Sequence, residues 1–95
     1  MPAVSRKGDQ CTGHGSHPPR ASTSGSSNVF VNNISAHRQG DTWAVHCDSR
    51  PECHDSITAS GSGSVYVNGQ PLARIGDDVA CGSAIAQGSE TVFSG

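Results

Sequence analysis

The feature that most limits what this chain can fold into is a threefold internal repeat. The pattern Arg-x-Gly-Asp occurs as Arg6-Lys7-Gly8-Asp9, Arg38-Gln39-Gly40-Asp41 and Arg74-Ile75-Gly76-Asp77. Beside it a strand-like unit recurs, as Gly25-Ser26-Ser27-Asn28-Val29-Phe30-Val31-Asn32-Asn33, then Gly61-Ser62-Gly63-Ser64-Val65-Tyr66-Val67-Asn68-Gly69, then Gly88-Ser89-Glu90-Thr91-Val92-Phe93-Ser94-Gly95. The order of these pieces matters as much as their recurrence. The chain begins on an Arg-x-Gly-Asp half without its strand unit and ends on a strand unit without its Arg-x-Gly-Asp half. Joining residues 92–95 to residues 3–9 completes the third repeat, so the pattern predicts a closed, pseudo-threefold body with both termini together. An open solenoid needs no such closure.

Val29-Phe30-Val31 and Val65-Tyr66-Val67 are short β-branched and aromatic runs, closed by the turn pairs Asn32-Asn33 and Asn68-Gly69, which reads as hairpins. Second strands are expected around Ala36-His37-Arg38 and Leu72-Ala73-Arg74, each leading into a Gly-Asp turn. Gly8, Gly40 and Gly76 then fall where positive φ or close backbone approach is needed. No segment holds helical periodicity over two turns, and Pro18 to Gly25 reads as a mobile loop. The expected fold class is all-β: residues 1–95 as one domain, a small conical body of three short β-hairpin repeats with pseudo-threefold symmetry. Strand edges lie at its wide end; the Gly-Asp turns and the loops after them converge at its narrow end.

Such a body has little with which to hold itself together. With 33% hydrophobic residues and 4% aromatics, it needs a staple. Cys11, Cys47, Cys53, Cys81 and five histidines are available. No secretory signal peptide or transmembrane run directs the chain to an oxidising compartment, which places its synthesis in the cytoplasm and favours metal over disulfides. The net charge of −2, with Lys7 the sole lysine and no basic stripe, argues against a nucleic-acid partner.

Counting on from each Gly-Asp gives one metal-type ligand per repeat: His14 five residues past Asp9, His46 five past Asp41, Cys81 four past Asp77. Threefold closure brings the three together near the axis, and His54, beyond the segment Cys47-Asp48-Ser49-Arg50-Pro51-Glu52-Cys53, is the best fourth. Three neutral imidazoles and one thiolate form a closed set suited to one structural Zn²⁺. Two other uses of these residues stay open: a local knuckle of Cys11, His14, His17 and Cys47, and a small disulfide loop between Cys47 and Cys53 that is compatible with zinc at the other four. His37, where the sister repeat has Ala73, reads as a surface or packed histidine, and His17 as a solvated loop residue. Nothing forms a catalytic apparatus. Asp9, Asp41 and Asp77 read as turn residues or as partners of Arg6, Arg38 and Arg74. An open His₃ zinc site activating water is the enzymatic alternative, and Cys81 as fourth ligand blocks it.

These residues resemble the PAAR-repeat family, named for a Pro-Ala-Ala-Arg motif. The best match is Pro71-Leu72-Ala73-Arg74-Ile75-Gly76-Asp77, followed by Val79-Ala80-Cys81-Gly82. Ser35-Ala36-His37-Arg38-Gln39-Gly40-Asp41 and Ala3-Val4-Ser5-Arg6-Lys7-Gly8-Asp9 are weaker copies without the proline in register, and with the strand units the similarity covers nearly the whole chain. The resemblance implies a sharp tip that caps the trimeric β-helical spike, VgrG-like or of a phage tail, of a contractile injection machine, one tip per trimer. It further implies a zinc ion near the apex on three histidines and a cysteine, which carry over onto His14, His46, His54 and Cys81. Family tips recruit toxins as fused domains or bound cargo; ending at Gly95, this chain is expected to carry no fused toxin. Delivery outside the cell or into a target cell, with transient contact to the target membrane, is implied as well. Physically, a threefold base can lie on a threefold trimer and continue its β-structure by strand augmentation, while zinc ligation supplies folding energy on the order of 10 kcal/mol. The reading from a different class is a small zinc-binding recognition module for protein or nucleic acid.

Overall fold

The strand units form their hairpins through residues that tolerate left-handed backbone. In the computed structural model, which describes residues 1–14, 17–47 and 53–95, with backbone alone for residues 46, 47, 53 and 54, β1 (Phe30–Val31) pairs antiparallel with β2 (Ile34–Ser35). Asn32 and Asn33 between them have φ of 54° and 65°. β5 (Tyr66–Val67) and β6 (Gln70–Pro71) repeat the arrangement, with Asn68 at 53° and Gly69 at 79°. Positive φ at both turn residues matches the right-handed twist of the strands. The third hairpin is assembled from the two ends of the chain. Phe93 bridges Ala3 as Phe30 pairs Ser35 and Tyr66 pairs Pro71, the Val4 amide donates to Val92 and the Ser94 amide to Pro2, each at 3.0 Å.

Each second strand then runs to the pseudo-threefold axis. There the Ser5 amide donates to the Ala73 carbonyl (3.0 Å), the Ala73 amide to His37 (3.0 Å) and the His37 amide to Ser5 (3.1 Å), closing a ring of three residues that are all fully buried. The residues just before the ring, Val4, Ala36 and Leu72, pack with Val31 and Val67. Cys11, Trp43 and Val79, each two residues past its Gly-Asp, pack with Ala73 and Ile85. The second strands lie ahead of the expected Ala36-His37-Arg38 and Leu72-Ala73-Arg74, at Ile34–Ser35 and Gln70–Pro71, because past them the bridges Arg6–Ala36, Arg38–Leu72 and Val4–Arg74 carry the backbone pairing around the axis instead of along one ladder.

Two local devices repeat. The amides of Ser26, Ser62 and Ser89 each donate at 2.8 Å to the carbonyls of Ala36, Leu72 and Val4. A side chain on the preceding Gly25, Gly61 or Gly88 would place its Cβ 2.8, 2.9 or 2.7 Å from those same carbonyl oxygens, which is why the unit opens on glycine. The serine hydroxyls then accept the amides of Val29, Val65 and Val92 at 2.9 Å each. In the second device, the amides of Asp9, Asp41 and Asp77 close turns on the carbonyls of Arg6, Arg38 and Arg74, with the intervening glycines at φ of 95°, 92° and 93°. Each carboxylate accepts from its own arginine's amide and Nε at 2.8–3.0 Å. The aspartates are thus turn residues and arginine partners at once.

Beyond each Asp the chain makes an excursion and comes back. The carbonyls of Asp9, Asp41 and Asp77 receive the amides of Ser22, Thr58 and Ile85 at 3.1, 3.0 and 2.9 Å, so each excursion, over 9–22, 41–58 and 77–85, returns to the aspartate it left. The bridges Cys11–Ile85, Ser22–Trp43 and Thr58–Val79 knit the excursions together, and the body measures 39 × 24 × 21 Å. The central excursion is the longest ladder, β3 (Thr42–Cys47) against β4 (Cys53–Ile57), with a bulge between Trp43 and His46. It is a hairpin that no turn pair announced in the sequence. Residues 18–25 are not a loose loop: Arg20 and Ser22 are buried, and the segment is the return limb of the first excursion, paired to Gln10 and Trp43.

Candidate metal centre

Because Ser22, Thr58 and Ile85 are equivalent, so are the positions two residues before them: Arg20, Ser56 and Ser83. All three face the sulfur of Cys81. Arg20 Nη2 donates to Sγ at 3.0 Å and the Ser83 hydroxyl lies at 3.5 Å; the Ser56 hydroxyl also donates. Arg20 is only 5% exposed, and its Nη1 donates to the Ala44 carbonyl of β3 at 2.6 Å. Burial alone would raise the Cys81 thiol, but the hydroxyl and amide of Ser83, the charge of Arg20 and the Ser56 hydroxyl outweigh it, leaving the pKa below its ordinary value. The thiolate, which is the form that binds metal, is favoured.

The other candidate ligands come from the remaining two excursions. Thr12 donates its amide to Ala84 at 2.8 Å and accepts the Ala84 amide on its hydroxyl at 3.1 Å, which brings the limb carrying His14 against the limb carrying Cys81. His14 and His17 exchange backbone bonds of 3.0 and 2.8 Å across the first excursion's turn, with rings stacked at 4.7 Å. Gly13 permits this fold-back, since a Cβ there would sit 2.6 Å from the His17 carbonyl. His17 is accordingly half-buried against His14 and not a solvated loop residue. In β3–β4 the register sets His46 opposite His54, and Cys47 opposite Cys53 in the next pair; the side chains of these four residues lie outside the described set. Cys11, the first member of the local knuckle, is 1% exposed in the apolar cluster with Trp43 and Ile85, so its thiol belongs to the core.

His37 is packed on the axis. Its Nδ1 donates to the Ser24 carbonyl at 2.9 Å, which fixes the tautomer, and its Nε2 accepts from the Thr58 hydroxyl at 2.7 Å. Thr58 in turn accepts Trp43 Nε1 at 2.8 Å. Burial holds the imidazole below its ordinary pKa, against the opposing pull of the Ser24 carbonyl and Asp41.

Arg20 is the residue that sequence reasoning passed over. Its position carries no repeated motif, and it aligns with Ser56 and Ser83 only once the return bonds to Asp9, Asp41 and Asp77 are known.

Residues 12–87 match the PAAR motif family. The chain belongs to that family. Its motif now has a physical reading: Pro71 pairs with Tyr66 in the hairpin, Ala73 sits in the axial ring, and Arg74 locks the turn through Asp77. Over 76 residues this PAAR chain is 40% identical to the NAD(P)(+) glycohydrolase toxin Tse6 of Pseudomonas aeruginosa and to the (p)ppApp synthetase toxin Tas1 from another strain of that species. Over 71 residues it is 37% identical to the double-stranded DNA deaminase toxin A of Burkholderia cenocepacia. These matches take in 75%, 75% and 73% of this chain, but 18%, 17% and 5% of the three toxins. The chain spans less than a fifth of the length of these relatives, and what it shares with them is the PAAR body.

Proposed function

We propose that the chain is the spike tip of a contractile injection machine, of the type VI secretion or phage-tail kind, seated one per trimer on a VgrG-like β-helical spike. The observation that carries this is a threefold set of exposed apolar pairs. Phe30, Tyr66 and Phe93 are 56%, 58% and 50% exposed, and Val29, Val65 and Val92 beside them 37–39%. They belong to the hairpins, which the axial ring separates in chain order from the excursions. Exposed apolar surface of this extent marks an interaction face, and three equivalent copies around one axis match a partner with a true threefold axis. In this reading the first strands of the hairpins extend the partner's β-structure by augmentation.

The second part of the reading is a structural zinc ion. Cys81, His14, His46 and His54 would hold it, closing the four-coordinate set typical of structural sites. The fit rests on the Cys81 sulfur, faced by Arg20, Ser56 and Ser83 where the excursions meet, and on the pairing that sets His46 opposite His54. When bound, the ion would cross-link all three excursions of a body with little core, and a point stapled in this way suits membrane piercing. In this role these residues perform no reaction; toxin cargo would be carried, as a fused segment or a bound partner.

Native mass spectrometry of the chain with a trimeric spike protein encoded beside it tests both parts. One chain per trimer carrying one zinc is expected. A zinc-loaded chain that leaves the trimer alone would sink the tip reading and favour a recognition module; a metal-free chain would sink the zinc assignment.

A further inference from the structure

Resting on the zinc reading, we propose that Arg20 is the positioning residue of the metal centre: anchored on the Ala44 carbonyl of β3, its guanidinium holds the Cys81 sulfur in place for the ion. Geometry carries this. The two terminal nitrogens of a planar, rigid fork are committed in different directions, Nη1 to Ala44 at 2.6 Å and Nη2 to Cys81 Sγ at 3.0 Å, and a nitrogen-to-sulfur bond of that length is charge-assisted. The side chain is 5% exposed, so its rotamer is fixed by packing and not by solvent.

The placement joins all three excursions through one group. Arg20 is held on the first excursion by its carbonyl, which accepts the Cys11 amide at 2.9 Å. Ala44 lies on the second, two residues before His46, and the Ala44 amide donates to Ala21 at 3.0 Å, so the anchor point is itself pinned beside Arg20. Cys81 lies on the third. The guanidinium therefore sets the separation between the strand that carries His46 and the sulfur. Ser56 and Ser83, the equivalents of Arg20, also turn hydroxyls toward the same sulfur, but among the described residues neither hydroxyl bonds to another excursion's backbone. Lysine, a compact ammonium on a flexible stem, lacks the rigid fork whose two ends make the Arg20 contacts.

Removing an outer-shell partner of a metal ligand typically costs 10–100-fold in metal affinity. The test loads wild-type, Arg20→Gln and Arg20→Lys chains with Zn²⁺ and, separately, with Co²⁺. Zinc release to a chelator is expected to quicken about 10–100-fold in Arg20→Gln, with Arg20→Lys in between. In the cobalt form the sulfur-to-metal charge-transfer band is expected at longer wavelength in Arg20→Gln, since loss of an N–H donor makes the thiolate a better electron donor. Unchanged release, or an unmoved band with melting temperatures lowered equally in the metal-free and loaded chains, would show a merely structural arginine and overturn the proposal. Should Arg20→Gln fail to fold, the band position in Arg20→Lys decides, a wild-type position overturning it. A wild-type chain that takes up neither ion overturns the zinc reading and this proposal together, whereas a loaded wild type with unaffected variants overturns this proposal alone.

Discussion

His37 should make the fold acid-sensitive in a way that can be isolated. Its imidazole is neutral and doubly bonded, donating from Nδ1 to Ser24 and accepting at Nε2 from a Thr58 hydroxyl that is already oriented by Trp43. Protonating Nε2 turns that acceptor into a donor. The fully buried Thr58 hydroxyl would then face two donors, and its own proton would lose its acceptor. Burial dominates the downward shift; the Ser24 carbonyl, Asp41 and Asp9 oppose it, while Arg38 reinforces it. Since the folded pKa lies below the ordinary 6.5, the unfolded chain binds the extra proton first. Stability is full above about pH 6.5 and falls by about 1.4 kcal/mol per pH unit below it, until the folded pKa is reached. For a domain of this size that is a melting shift of roughly 4–8 °C for each kcal/mol. The assay is denaturant unfolding of wild type and His37→Gln at pH 7.5, 6.5 and 5.5 in the same metal state. The other four histidines are common to both proteins, so the difference between the curves reports His37. At pH 7.5 the variant should be weaker by about 1–3 kcal/mol, the cost of disturbing buried hydrogen bonds, and the gap should narrow as the pH falls. Two curves that stay parallel from pH 7.5 to 5.5 would refute the neutral, buried assignment.

Gly88→Ala should cost about 1–3 kcal/mol by overpacking, because its Cβ would lie 2.7 Å from the Val4 carbonyl and force the terminal strands apart, whereas Gly63→Ala, which meets nothing within 4 Å, should be nearly neutral; equal melting temperatures for the two would contradict the close-approach argument. Cys81→Ser or His46→Ala should lose zinc and melt at a sharply lower temperature, and full zinc occupancy with unchanged melting would remove the residue from the site. Replacing Phe30, Tyr66 and Phe93 together by Asp should abolish capture by the spike trimer while leaving the melting curve in place; retained binding would move the interface elsewhere. Cys47 and Cys53 stand opposite each other in β3–β4, and directly paired antiparallel positions lie within disulfide range. Oxidised glutathione should therefore remove two hydrogens from the intact mass, an effect that Cys53→Ser abolishes, and a wild-type mass that does not change would exclude the cross-link.

What was legible in the sequence, and what was not, follows from where the repeats reuse the same bond. Gly25, Gly61 and Gly88 each meet the equivalent carbonyl of their repeat, Ser26, Ser62 and Ser89 each accept the equivalent amide, and Arg6, Arg38 and Arg74 each grip their own aspartate, so the residues recur and the pattern can be read. The excursions share no such constraint. They differ in length, their return limbs carry Arg20, Ser56 and Ser83 at one equivalent position, and the β3–β4 ladder and the buried limb through Ser22 left no repeated signal. The axial ring lies between these cases: its bonds are backbone bonds, indifferent to side chain, so Ser5, His37 and Ala73 can occupy equivalent places, and His37 uses the freedom to reach Thr58 and Trp43. Under the proposed function this division has a cause. A hairpin face that docks on a symmetric trimer is constrained three times over, and its apolar pairs stay alike. A tetrahedral ion on a threefold axis needs a fourth ligand that no threefold repeat can supply, so the excursions must diverge. Substitutions on the hairpin face should then act weakly one at a time and strongly in threes, whereas substitutions in the excursions should act singly, with Arg20 and Cys81 the most sensitive positions.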